Sequence, residues 1–151
     1  MIRKISFKPI GYVRTDADED QIRKDRKNVL SEIIISEELT EALDGIEDFS
    51  HLFIIFHMHK AFTERIDLKV HPRGRLDLPL VGVFTTRSPY RPNPIGLTLV
   101  ELIERKSNKI KVRGLDAINN TPIIDIKPFD PLDLAMKARV PEWWMELHQE
   151  S

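Results

Sequence analysis

The chain has 151 residues, 41% hydrophobic and 31% charged, a balance that fits one globular domain and excludes wholesale disorder. Its 23 Lys and Arg nearly match 24 Asp and Glu, so no global basic field gathers nucleic acid and any RNA contact has to come from a local patch. There is no cysteine, which rules out disulfides, thiolate nucleophiles and zinc ribbons. The polar start, MIRKISFKPIG, does not read as a signal peptide, and no apolar run reaches the ~20 residues of a membrane span. A cytoplasmic protein without a membrane partner is the expectation, and DNA is not an expected partner.

In chain order, ISFKPIGYVRT (5–15) alternates as a first strand, with Pro9 and Gly11 marking an edge or bulge. DADEDQIRKDRKN (16–28) reads as an exposed, charged loop. VLSEIIIS (29–36) is a strand, and Ser36 caps a short helix, EELTEAL, that stops at Gly45. SHLFIIFHMHK (50–60) is the most apolar segment and is expected to be an inner strand buried on both faces for most of its length. RIDLKVH (65–71) and LVGVFTT (80–86) read as strands on either side of a turn-rich connection. LTLVELIERK and IKVRGLDAI form a hairpin around Ser107-Asn108-Lys109, and IIDIKPF follows the turn Asn119-Asn120-Thr121-Pro122. PEWWMELHQE (141–150) is a terminal helix with proline at its start. The strand spacing implies a mainly β protein, a barrel or a sandwich, in a single domain over 1–151.

Between two strand runs lies TTRSPYRPNPIGL (85–97), which holds three of the ten prolines. Each proline fixes its own φ and pushes the preceding residue (Ser88, Arg91 and Asn93) into extended backbone. The product is a stiff arc that offers Arg87 and Arg91 with little residual freedom, a good arrangement for a carboxylate or a phosphate. The alternative reading of the same residues is a rigid crossover whose arginines pair with local carboxylates such as Asp77.

GVFTTRSPYRPNPIGLTLVEL (82–102) resembles the signature of the TsaA-like family, which includes the TrmO-type tRNA methyltransferases. The resemblance extends through PIGYVRT (9–15), GIEDFSHLFIIF (45–56), VHPRG (70–74) and VRGLDAINNTPIIDIKPF (112–129), so its core is 9–130, with 131–151 as a tail and helix. It implies a small β-barrel with short peripheral helices and a C-terminal helix. It also implies an S-adenosylmethionine (SAM) cofactor, a tRNA substrate and a homodimer. The implied reaction is methylation of the N6 nitrogen of N6-threonylcarbamoyladenosine. No strand–Gly-rich turn–helix unit is present, consistent with a cofactor site that is not of Rossmann type.

Carried over position by position, the resemblance assigns the cofactor to His59, Lys60, Arg87, Leu97, Arg113, Gly114, Leu115 and Asp116. Relatives often place a proline-glutamine-glycine segment after the first strand. Here IRKDRKN (22–28) stands in that place, with Arg26 and Lys27 the nearest matches. Arg87 suits the SAM carboxylate, Gly114 a close backbone approach, Asp116 the ribose diol or ammonium, and Leu97 an apolar wall. On the residues alone, Gly114 reads as a bulge, Asp116 as a turn former, Leu97 as core and His59 as the solvent end of a strand. His59 or Asp116 is the expected base for the acceptor nitrogen. Arg73, Arg75, Tyr90 and Arg91 are the expected RNA contacts, with Tyr90 placed to stack on a base. Two other readings compete: a non-enzymatic barrel binding an adenosyl ligand or a protein, and a metal held by His57 and His59 with His51, His71 or Glu64.

Overall fold

Alternation of apolar and polar residues along short β-branched runs builds one closed sheet. The computed structural model describes residues 1–61 and 65–149. Its strands are β1 (Gly11–Arg14), β2 (Leu30–Ile35), β3 (His51–His57), β4 (Lys69–Val70), β5 (Val81–Gly82), β6 (Ile95–Lys106), β7 (Lys109–Arg113) and β8 (Pro122–Pro128). Two α-helices, α1 (Glu19–Asp25) and α2 (Glu142–Gln149), and several 3₁₀ turns complete it. The chain divides into two compact units, Met1–Lys60 with Pro94–Phe129, and Ala61–Asn93 with Asp130–Ser151.

The first unit is a closed barrel in the order β1-β2-β7-β6-β3-β8, antiparallel throughout. Every second residue turns inward, so Val13, Ile33, Ile35, Leu52, Ile54, Phe56, Val100, Ile110, Val112 and Ile123 fill its interior. Each such side chain contributes on the order of 1.5–3 kcal/mol by leaving water. The small barrel thus matches the fold that the sequence implied. The β6–β7 hairpin also forms as read, with Lys106 opposite Lys109 and Ser107 at φ 55°. Gly96 faces the Phe56 ring, and a Cβ there would stand 2.3 Å from it. Gly96→Ala is therefore expected to cost about 1–3 kcal/mol through overpacking, read as a lower urea midpoint with an unchanged slope.

Four local readings change. Residues 16–28 are not a loop: Asp18 accepts from the Gln21 N–H at 2.8 Å while the Gln21 side chain accepts from the Asp18 N–H at 2.9 Å. That reciprocal cap, acidic Glu19 and Asp20 in the first turn, basic Arg23 and Lys24 in the last, and buried Ile22 make α1. Residues 37–43 coil as a 3₁₀ helix and the Ser36 side chain caps nothing. Instead the Ser36 N–H donates to Ile10 O at 2.9 Å, tying the segment to the start of β1. β3 is buried on one face only, because Phe53 and Ile55 lie on the outside of the barrel and stay half-exposed. The expected strands 65–71 and 80–86 shrink to the two-residue β4 and β5. After β5, the Thr85 and Thr86 hydroxyls donate back to Gly82 O (2.7 Å) and Val83 O (2.8 Å), which curls the backbone into a 3₁₀ turn.

The second unit contains the β4–β5 pair, the proline loop and α2. Leu78, Val83 and Leu147 are buried in it. On α2, Trp143 is half-buried with Leu147 four residues on, whereas Trp144 turns outward and stacks on His148 with ring centroids 3.9 Å apart. Among the described residues no helix is long and apolar enough to cross a membrane.

Candidate functional site

Three of the chain segments singled out in the sequence meet around α1 in the barrel unit. At its C-terminal end the chain passes into a 3₁₀ turn, Arg26–Asn28, and Arg26 Nη1 donates to Asp116 Oδ2 at 3.2 Å. At its N-terminal end Glu19 Oε1 accepts from Lys60 Nζ at 3.4 Å. Both pairs are exposed, so each contributes at most about 1 kcal/mol, and their value here is to place the side chains. Arg113 ends β7 beside Leu30 and pairs with Glu101 at 2.9 Å.

Gly114 follows at φ 93°, its N–H donating to Val29 O at 3.0 Å. No atom lies within 4 Å of the position its Cβ would take. The glycine is thus required by backbone conformation, and the space in front of it is open. Leu115 is 0% exposed, so its side chain belongs to the core. Asp116 carries a side chain 55% exposed. His59 has its Nδ1 buried with no hydrogen-bond partner among the described residues. Lys27 is exposed. A cleft of about 470 Å³ is lined by Ala17, Asp18, Glu19, Asp20 and Arg23 with Lys60, Ile118 and Asn119, so that Lys60 is the one cofactor-assigned residue among its lining.

Leu97 lies elsewhere on the barrel, 56% exposed on the outer face of β6 opposite Ile55. Arg87 stands on the second unit, exposed and without a partner among the described residues. Its neighbour Arg91 is occupied: Nη1 donates to Thr86 O (2.9 Å) and Ser88 O (3.3 Å), bracing the proline loop from within. Asp77 pairs with Arg75 instead of with Arg87 or Arg91, at 2.6 Å, and that guanidinium holds its carboxyl below the usual carboxylate range. Tyr90 lies 4.1 Å below the Arg65 guanidinium, and Arg73 reaches His148 Nε2 at 3.4 Å.

The described residues lend the metal reading no support. Among the described residues no three His, Asp or Glu side chains gather as metal ligands. His51 Nδ1 sits 2.7 Å from Ser50 Oγ, and His71 Nδ1 bonds Leu78 O at 2.8 Å. Glu64, one proposed ligand, lies outside the described residues.

The family of the tRNA-methyltransferase O N-terminal domain matches residues 20–133. The chain belongs to that family. An S-adenosyl-L-methionine-binding protein of Archaeoglobus fulgidus is 43% identical over 128 residues, covering 83% of this chain and 89% of the relative. A tRNA (adenine(37)-N6)-methyltransferase of Mus musculus is 46% identical over 88 residues, 58% of this chain and 20% of that one. A crystal structure of TrmO superposes with a TM-score of 0.75 at 28% identity, over 91% of this chain and 64% of the TrmO chain. This TrmO-family chain therefore spans under two thirds of the solved TrmO chain while matching most of the archaeal relative.

Within the family's barrel, α1 is the part that sequence reading missed. Its acidic Glu19 and Asp20, which line the cleft, were assigned to a loop. The Asp18-x-x-Gln21 spacing is the signal that marks the helix.

Proposed function

We propose that this chain is a SAM-dependent methyltransferase acting on the N6 nitrogen of N6-threonylcarbamoyladenosine in tRNA. The observation that carries the reading is the gathering of residues 26, 60 and 116 around α1, three positions that the sequence resemblance separately gave to the cofactor. Relatives named for SAM binding and for adenine-N6 methylation of tRNA support the choice of ligand and acceptor.

The residues suit the cofactor. Arg87 has an unspent guanidinium for a carboxylate, Asp116 an exposed carboxylate for a diol or an ammonium, and Gly114 leaves open space for an approaching ring. Lys60, Arg26, Lys27, Arg113 and the Leu115 backbone are proposed as further cofactor contacts, whereas Leu97, on the outer face of β6, is not placed beside them. When bound, SAM supplies an activated methyl group. The protein's work is then to align the acceptor, exclude water and accept one proton from N6 as the new N–C bond forms. His59 and Asp116 are the groups proposed to take that proton.

Arg73, Arg75, Tyr90 and Arg91 are proposed as the RNA side. The Arg65–Tyr90 pair is a guanidinium–aromatic surface of the type that stacks on unpaired bases. A homodimer is proposed as well. Leu68, Leu76, Leu80 and Phe84 on the second unit are exposed apolar residues that a partner subunit would cover.

Calorimetric titration with SAM tests the reading. Wild type is expected to bind about one ligand per chain, and Arg87→Ala to bind at least about tenfold more weakly, or about 1.4 kcal/mol. Transfer of labelled methyl to tRNA bearing the threonylcarbamoyl base, and not to tRNA lacking it, supports the acceptor. Binding without any transfer would favour the second reading, a ligand-binding barrel, which the names of the archaeal relatives suit. No binding to the folded protein or its tRNA mixture would remove both.

A further inference from the structure

Residues 1–9 form an arm that the barrel leaves bare. All nine are exposed, Ile5 at 73% and Phe7 at 65%, and no backbone hydrogen bond reaches them among the described residues. Their pattern is nonetheless that of a strand: Ile5, Phe7 and Pro9 alternate with Lys4, Ser6 and Lys8. Arg3, Lys4 and Lys8 give the arm three cations and no carboxylate.

A groove of about 390 Å³ opens where the arm enters the barrel at Ile10. Its floor is apolar, with Ile35, Leu39, Ile46, Phe49 and Ile126. One wall is β8, which pairs with β1 only through Ile123 and Pro122 while its pairing with β3 runs on to Pro128. The far stretch of β8 therefore has an unpaired edge on the groove side, a template for one more strand. The other wall comes from the segment 37–48, EELTEALDGIED, which has six carboxylates and no Lys or Arg; Asp44 lines the groove, and the other five are exposed on the same segment. Arg105 answers part of that charge by pairing with Asp44 and Glu47.

We infer that this groove receives the arm of a second copy of the chain, as a strand added along β8 with Phe7 and Ile5 on the apolar floor. A basic, alternating strand matches an apolar groove with a free strand edge and an acidic segment along its rim. The chain's own arm stands clear of it, because Pro9, with fixed φ and no N–H, breaks the continuation of β1. Each copy has one arm and one groove, so a two-fold exchange fills both. This exchange does not depend on the methyltransferase reading.

The absence of cysteine makes the test clean. Full-length Ser6→Cys protein is mixed with full-length Ala42→Cys protein under mild oxidation, Ala42 being an exposed residue of the groove. A disulfide between the two chains is expected to form about tenfold faster than between Ser6→Cys and Lys24→Cys, a position on α1 beyond the other end of β1. Adding Phe7→Asp to the Ser6→Cys chain is expected to abolish that preference, and the arm's lack of contacts keeps this variant folded. Equal rates for the two pairs, or no effect of Phe7→Asp, would overturn the inference. So would closure within single chains of the Ser6→Cys/Ala42→Cys double variant at high dilution, which would show the groove filled by its own arm.

Discussion

Gly11→Ala should lose about 3 kcal/mol or more of stability, the largest effect expected of any single methyl group in the barrel. Gly11 pairs with Ile35 on one side and Ile123 on the other. A Cβ there would stand 2.2 Å from Ile34 O. The obstacle is backbone, so no side chain can swing away, and β1 has to part from β2. The seam on the other side of β1 offers little to hold the strand, because β1 and β8 share only two residue pairs. Gly82→Ala is the control: no atom lies within 4 Å of its Cβ position and its φ of −61° suits any residue, so its urea midpoint should stay put or rise slightly. If Gly11→Ala unfolded within ~1 kcal/mol of wild type, close β1–β2 contact would not be what closes the barrel.

The second large effect concerns proton removal. Among the described residues His59 Nδ1 is buried without a hydrogen-bond partner, a condition that costs about 1–3 kcal/mol and that a bound acceptor group would relieve. Asp116 is already engaged by Arg26. His59→Ala is therefore expected to slow single-turnover methyl transfer by about 100-fold or more with SAM saturating, and to change SAM affinity much less. Asp116→Asn should act mainly on SAM affinity. Wild-type single-turnover rates in both variants would mean that alignment alone suffices and that neither group is a base.

The barrel was legible where its cause is local. The inward set Leu52, Ile54 and Phe56 follows from strand period, and the β6–β7 hairpin from Ser107-Asn108, whose left-handed Ser107 closes the turn. What closes the sheet was not legible, because the pairing of Gly11 with Ile123 joins positions far apart in sequence and nothing local encodes it. The helix α1 was hidden by its own charge. Its acidic start and basic end read as solvated loop, although the same charges complement a helix dipole. β4 and β5 were overextended because alternation in 65–71 and 80–86 says nothing of the threonine hydroxyls that capture Gly82 O and Val83 O.

The candidate site divides in the same way. Periodicity alone would have left His59, Leu97, Gly114 and Asp116 as ordinary structural residues. Only the resemblance singled them out, and the Arg26–Asp116 pair could not have been read from spacing. For Arg91 the physical reading was incomplete: the stiffness credited to prolines is also supplied by its own guanidinium, clamped on Thr86 O and Ser88 O.

The strand order also bears on how the protein is made. Of the barrel's seams, β2–β7, β3–β6, β3–β8 and β1–β8 each join an early strand to a late one, and only β1–β2 and β6–β7 join strands of the same half. On a translating ribosome the first three strands emerge with no partners for most of their edges, and they wait until β6 to β8 have been synthesised. During that interval SHLFIIFHM, the most apolar run of the chain, is exposed with both edges free, which makes the nascent chain a natural client for a chaperone holdase.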